Sequence, residues 1–169
     1  MADSTALPRW SVADVHESFD SRSFVDSMER LGADVGRLTS LFDEHDVRAV
    51  APRTPTAKDG ETADAVVAAF NAVAEANNVL GAYVYATVST DSRNEQAQGL
   101  LSELEVTDSK LSPLVARLAE WVASLGADEL AKVSEAAREH LGPLGQELRA
   151  SGDERLRQPV LLLHIGARF

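Results

Sequence analysis

The residues best equipped for chemistry in this chain are its four histidines and the acids beside them. His16-Glu17-Ser18-Phe19-Asp20 comes nearest to the H-E-x-x-H pattern, in which two histidines at i and i+4 share one helix face and bind zinc while the glutamate activates water. Here an aspartate stands in place of the second histidine, and the segment precedes the first helical stripe, so His16 is expected to be a solvated histidine rather than a ligand. Asp43-Glu44-His45-Asp46 gathers metal-donor atoms, but its place at the end of a stripe predicts an exposed helix terminus. Glu139-His140 and His164 lack a partner at ligand spacing, and Gly142-Pro143-Leu144-Gly145 lacks the spacing, lysine and hydroxyl of a phosphate loop. Ser89, Ser92 and Ser112 have no histidine close in sequence and read as turn and capping residues. Tyr83 and Tyr85 point to different helix faces, so at most one is buried, and Trp10 and Trp121 read as core anchors. With no nucleophile–base pair and no ligand set, no catalytic, cofactor-binding or metal-binding residue is assigned.

The elements that would carry these residues are helical. From Glu61 to Leu125 the chain reads as two long amphipathic helices joined by Ser89-Thr90-Asp91-Ser92-Arg93-Asn94. Ala63, Val66, Val67, Phe70, Val73, Ala74, Leu80, Val84 and Val88 mark one stripe, at the three- and four-residue steps of a buried helix face. Ala97, Leu100, Leu101, Leu104, Leu111, Leu114, Val115, Leu118, Val122 and Leu125 mark the other. Each helix is expected to run roughly 40 Å. An earlier stripe, Phe24, Met28, Leu31, Val35, Leu38 and Phe42, predicts a helix over 23–45 capped by Asp20 or Ser21. Gly32 and Gly36 inside it suggest a close helix–helix approach. Residues 47–60, with Pro52, Pro55 and Gly60, read as a loop, after which Asp59 or Thr62 caps the long helix. Asn77 or Asn78 is expected to bond across the bundle, because a buried amide needs a partner. Asn94 caps the second long helix, Pro113 predicts a kink or restart near Ser112, and Gly126 ends it. Asp128 then caps a helix over 129–139, and 144–150 is a further helix. The sum is an all-α antiparallel helical bundle around a long central hairpin: an extended arm at 1–20 anchored by Trp10, Val12, Val15 and Phe19, a helical lobe at 21–152, and an atypical tail at 153–169.

Composition bounds the partners. The 169 residues suit one domain, and a net charge of -11 with lysine only at Lys58, Lys110 and Lys132 repels phosphate backbones and anionic membranes. Without cysteine there is no disulfide, thiol nucleophile or cysteine zinc site. The N-terminus shows no basic and apolar leader, and Val160–Leu163 is too short to span a bilayer, so a soluble cytoplasmic protein is expected.

Beyond these physical bounds, Leu7-Pro8-Arg9-Trp10-Ser11-Val12-Ala13-Asp14-Val15, then Asp20-Ser21, Phe24 and Asp26-Ser27-Met28-Glu29-Arg30-Leu31, resembles the opening of oligoendopeptidase F-type enzymes of the M3 metallopeptidases. A second set follows in the order that family uses: Leu80-Gly81-Ala82-Tyr83-Val84-Tyr85-Ala86, Ser89-Thr90-Asp91, Asn94-Glu95-Gln96-Ala97-Gln98-Gly99-Leu100-Leu101 and Leu111-Ser112-Pro113-Leu114. The resemblance covers roughly 7–150. It implies an N-terminal helical lobe that helps close a substrate channel, with peptide substrate and the parent's own catalytic domain as partners. The zinc and the H-E-x-x-H helix belong to a downstream part of such a parent, so the lobe alone is expected to be inactive. A helical interaction module with no link to peptidolysis is the alternative.

The tail fits neither picture. Arg155-Leu156-Arg157-Gln158-Pro159 still resembles the family, but Val160 to Phe169 has no acidic residue and no helical stripe. It is expected to be the product of a truncated or frame-shifted gene, leaving apolar surface that favours self-association; a last segment packed on the bundle is the other reading.

Overall fold

The computed structural model describes residues 14–141, and they are all-α. Helix α1 spans Arg22–Glu44, α2 Ala57–Thr90, α3 Glu95–Leu125, α4 Ala127–Leu130 and α5 Glu135–Leu141. The stretches at 144–150 and 153–169, and with them His164, Trp10, Val12 and residues 142–145, lie outside the described residues.

Helix α1 begins where Ser21, in an extended conformation, accepts the Phe24 N–H at 3.3 Å. Its inner face is the expected stripe, with Phe24, Leu31, Val35, Leu38 and Phe42 buried and Met28 half-buried. The helix closes with two reversed bonds, from Val47 N–H to the Phe42 carbonyl at 2.9 Å and from Asp46 N–H to that of Asp43 at 3.2 Å. This Schellman closure needs a left-handed residue at its hinge, usually glycine, and Asp46 supplies it at φ 55. Val47 and Phe42, the apolar pair of the motif, are both fully buried. Asp46→Gly is therefore expected to raise stability by about 0.5–1 kcal/mol, read from the midpoint of urea unfolding, because a Cβ in that conformation is strained.

Helices α2 and α3, of 34 and 31 residues, form the long hairpin, and a four-residue turn at 91–94 joins them. At about 1.5 Å per residue they run about 50 and 46 Å, longer than the stripes alone implied. The difference lies at the start of α2, which opens at Ala57 inside the expected loop. Its cap is neither Asp59 nor Thr62 but Thr56, whose hydroxyl receives the Asp59 N–H while the Asp59 carboxylate returns a bond to the Thr56 N–H. This reciprocal pair satisfies two free amides at once and so outcompetes the later caps. Asn94 caps α3, accepting the Ala97 N–H at 2.9 Å.

Helix α3 does not restart at Pro113 but is continuous through it. Leu111, Leu114 and Leu118 are buried on the same face on both sides of the proline, so packing holds the line that one lost backbone bond would weaken. Gly126 ends α3 at φ 78, as expected.

The core lies where α2 packs against α1, α3 and α5, with α3 also against α1 and α4. Phe24, Phe42, Phe70, Leu31, Leu38 and Leu118 are its largest fully buried side chains, and Trp121 joins them. Gly32 and Gly36 bring nothing close: a Cβ at either meets no atom within 4 Å. The close approach is at Gly60, where a Cβ would stand 2.6 Å from the Val133 carbonyl carbon and nearer still to its oxygen.

The single helix expected over 129–139 is two. After α4 the chain turns through 131–134, and Ser134 caps α5 with its hydroxyl accepting the Ala137 N–H at 2.9 Å. Asp128 lies in the first turn of α4 rather than capping a longer helix. Residues 14–20, the described part of the arm, are not helical. Phe19 packs on the core as expected, but Val15 is exposed and His16 takes its place as an anchor.

Candidate functional site

The residues singled out for chemistry are dispersed. His16 is half-buried, its ring edge-on to Phe24 and Tyr83 with centroids 5.3 and 5.1 Å apart. Its Nδ1 stands 3.0 Å from the Ser23 hydroxyl, and its backbone carbonyl accepts the Tyr83 hydroxyl at 3.0 Å. It is thus a packing residue that ties the arm to α1 and α2, not the solvated side chain its position suggested. Glu17 and Asp20 beside it are exposed, and Asp20 accepts a bond from Gln96 on α3. Burial raises the pKa of Tyr83, while Tyr85 lies 61% exposed, so the two tyrosines do point to different faces.

The acidic cluster closing α1 is exposed and partly neutralised. Asp43 pairs with Arg117 at 2.8 Å and Asp46 with Arg48 at 2.7 Å, while His45 Nδ1 lies 3.4 Å from the Thr62 hydroxyl. Arg117 also donates to the Val47 carbonyl at 3.0 Å and lies over the Phe42 ring, so α3 fastens the end of α1. Ser89 bonds the Ala86 carbonyl within α2, Ser92 lies in the turn, Ser112 is exposed on α3, and Glu139 and His140 belong to α5. Among the described residues, no group of three His, Asp or Glu side chains converges on a point where a metal ion would sit.

Among the described residues three carboxylates have shifted pKa values, and each holds structure. The Arg53 guanidinium, bonded to Asp59 through two N–H···O contacts of 2.8 and 2.7 Å, holds that carboxyl well below the usual range, helped by Thr56. Burial works against the charge of Asp64, but hydrogen bonds from Ser134, Ala136 and Glu135 and the nearby Arg138 lower its pKa on balance. Burial pushes Asp108 up, against the bond it accepts from Asn77 at 2.7 Å. That bond is the expected contact of a buried amide across the helices, although the Asn77 Oδ1 has no protein partner among the described residues.

Asp59 carries a prediction. A carboxyl whose folded pKa lies below its unfolded value adds stability that is present above about pH 4 and lost as pH falls through the folded value. Asp59→Asn is expected to cost about 1–2 kcal/mol at pH 7 through the weakened cap and fork. The loss of stability between pH 7 and pH 3 should then be smaller in the variant than in the parent chain, as urea midpoints at the two pH values will show.

The described residues also line concavities, of which two lie beside α1. One, of about 540 Å³, lies between α1 and α3 over Val35 and Leu114, with Gly32, Gly36 and Lys110 at its edge. The other, of about 220 Å³, lies between α1 and α2. Its α1 wall carries Ser27, Arg30 and Asp34; its α2 wall is Ala76, Val79 and Leu80; and His16 sits at the end near the start of α1. Sequence reasoning passed over Arg30, although Ser23, Ser27, Arg30 and Asp34 repeat at steps of four, three and four along one face of α1.

The middle of helix α2 is rich in apolar residues on its exposed as well as its buried side. By length and composition it could cross a membrane, and only 33% of its most apolar 18-residue stretch is buried within the described molecule. Ala65, Ala68, Ala72, Val79 and Ala82 are exposed, with Glu75 the charge among them.

The described residues thus form an all-α fold with concavities beside α1 and a row of exposed small apolar residues along α2. No protein-family model, curated protein or solved structure matches the chain.

Proposed function

We propose that this chain is a peptide-facing helical lobe of a larger zinc peptidase similar to oligoendopeptidase F, contributing walls to a substrate channel while a separate part supplies the zinc chemistry. The observation that carries this reading is the placement of the resembling segments. Leu80–Ala86 forms the last turns but one of α2, Ser89-Thr90-Asp91 closes it, Asn94 caps α3, and Leu111–Leu114 lies within α3. The ordered set therefore describes one hairpin rather than scattered matches. The exposed row of Ala65, Ala68, Ala72, Val79 and Ala82 on α2 also supports the reading, since so apolar a helix face is normally packed against something.

The test has two arms. The pure chain, supplied with zinc and a quenched-fluorescent peptide mixture, is expected to show no zinc-dependent hydrolysis; measurable hydrolysis overturns the division of labour. The encoding DNA beyond Phe169, read in all three frames, is expected to contain an H-E-x-x-H segment followed by a glutamate helix; an unrelated neighbouring gene there removes the parent.

A standalone helical interaction module is the second reading, favoured by the same exposed row of Ala65, Ala68, Ala72, Val79 and Ala82. Recovery of a defined stoichiometric partner that is not a peptidase fragment would make it the leading one.

A further inference from the structure

We propose that the cleft between α1 and α2 binds the C-terminal residue of an apolar peptide, with its carboxylate on Arg30. The choice of a peptide rests on the reading above; the chemistry rests on the two unlike walls of the cleft. On the α1 side, Asp34 lies one turn beyond Arg30, where it could have neutralised it, but Asp34 pairs with Arg37 instead. Among the described residues Arg30 has no acidic partner, so an anion-binding guanidinium faces the cleft of a chain whose net charge is -11. A guanidinium presents a planar fork that matches a carboxylate in two parallel bonds. The Ser27 hydroxyl is committed to the Ser23 carbonyl at 2.8 Å and so offers the ligand only acceptor lone pairs. His16 spends Nδ1 on Ser23 and keeps its other ring nitrogen for a polar group of the ligand.

The opposite wall has no polar side chain. Ala76, Val79 and Leu80 with Leu31 form an apolar bed, and Val79 is 49% exposed. A small apolar side chain laid there removes its own surface and that of Val79 from water.

Size selects the occupant. At about 30 Å³ per water, the volume of about 220 Å³ holds about seven waters, room for one residue and its carboxylate. A free inorganic anion would find the cation but leave the apolar wall unused.

The experiment uses the full chain, labelled with nitrogen-15 and titrated at pH 7 with N-acetyl-Ala-Ala-Leu as the free acid and as the C-terminal amide. The free acid is expected to shift the amide signals of Ser27, Arg30, Leu31 and Val79 and to bind at least tenfold more tightly than the amide. Arg30→Met, which keeps the stem of an exposed side chain, is expected to abolish that preference, and Val79→Asp to abolish binding of both forms. Arg93→Met, in the α2–α3 turn, should change neither. Equal binding of acid and amide, an undiminished preference in Arg30→Met, perturbation centred elsewhere, or no binding at millimolar peptide each overturns the proposal. Acetate competing as well as the peptide would show a bare anion site and overturn it too. Peptide binding with no zinc-peptidase segment downstream leaves this inference standing and removes the parent; a downstream segment with no binding does the reverse.

Discussion

Gly60→Ala is expected to destabilise the chain by about 3 kcal/mol, the largest effect of alanine at any of the described glycines. The added carbon would enter the Val133 carbonyl group, which is backbone and cannot rotate aside as a side chain would. Relief requires moving the 131–134 turn away from α2, and that turn is not free to move. Leu130 and Ser134 on either side of it are fully buried, and α5 beyond it packs on α2. The same substitution elsewhere has the opposite sign. Gly32 and Gly36 lie in α1 with open space where a Cβ would go, so alanine there adds helix propensity without collision. Each should stabilise by up to about 1 kcal/mol. Three urea titrations measure the contrast. A Gly60→Ala chain as stable as the parent would mean that α4 and α5 do not sit on α2 as described.

How the sequence came to favour the wrong glycines shows what kind of information it carries. Stripes such as Phe24-Leu31-Val35-Leu38-Phe42 are visible because the partners in the pattern are three and four residues apart. The same is true of the caps by Ser21 and Asn94 and of the divergence of Tyr83 from Tyr85, all of which are settled within a turn of helix. Gly60 is different: its reason lies 73 residues away at Val133, and nothing local separates it from a loop glycine. The break between α4 and α5 carries no glycine or proline, since 131–134 reads Ala-Lys-Val-Ser. Its one local signal was Ser134 directly before Glu135, a serviceable N-cap with an acid in the first turn. The Thr56-x-x-Asp59 spacing likewise announced a reciprocal cap, with aspartate where glutamate is usual, but Pro55 just before it drew the reading toward a loop. His16 misled in another way. The acid beside it suggested chemistry, whereas its surroundings are Phe24 and Tyr83, aromatic rings from two different helices that no spacing rule brings together. Of the proposed cleft, the sequence displayed one wall as a polar face of α1 and gave no hint that Ala76 and Val79 would stand opposite.

Asp64→Ala is expected to cost about 2–3 kcal/mol, because one carboxylate on α2 completes the cap of α5 that Ser134 begins. Its Oδ1 accepts the Ser134 hydroxyl at 2.7 Å and the Ala136 N–H at 2.9 Å. Ser134 is fully buried, so removing the acceptor leaves its hydroxyl proton without a partner away from water and frees the half-buried Ala136 amide. Asp64→Asn keeps an acceptor but not the charge, and should lose about half as much at pH 7. The pH dependence separates the two terms. Since the folded pKa of Asp64 is lowered, its charge-dependent stability is present above about pH 4 and fades as pH falls through the folded value. The deficit of Asp64→Asn relative to the parent chain should therefore shrink between pH 7 and pH 3. The Asp64→Ala deficit should shrink by the same amount, a smaller fraction of its larger loss, because both variants remove the same titrating carboxyl. Asp64 lies one helical turn from Gly60, and both meet the segment from Val133 to Ala136. Their substitutions act on one interface, so the double variant should fall short of the summed losses: once the turn has been pushed off Gly60, the Asp64 bonds are already broken. Additive losses would mean that the glycine contact and the carboxylate cap hold α5 independently. A shortfall of 1 kcal/mol or more, which is about the size expected for directly coupled neighbours, would show that α4 and α5 dock on α2 as one unit.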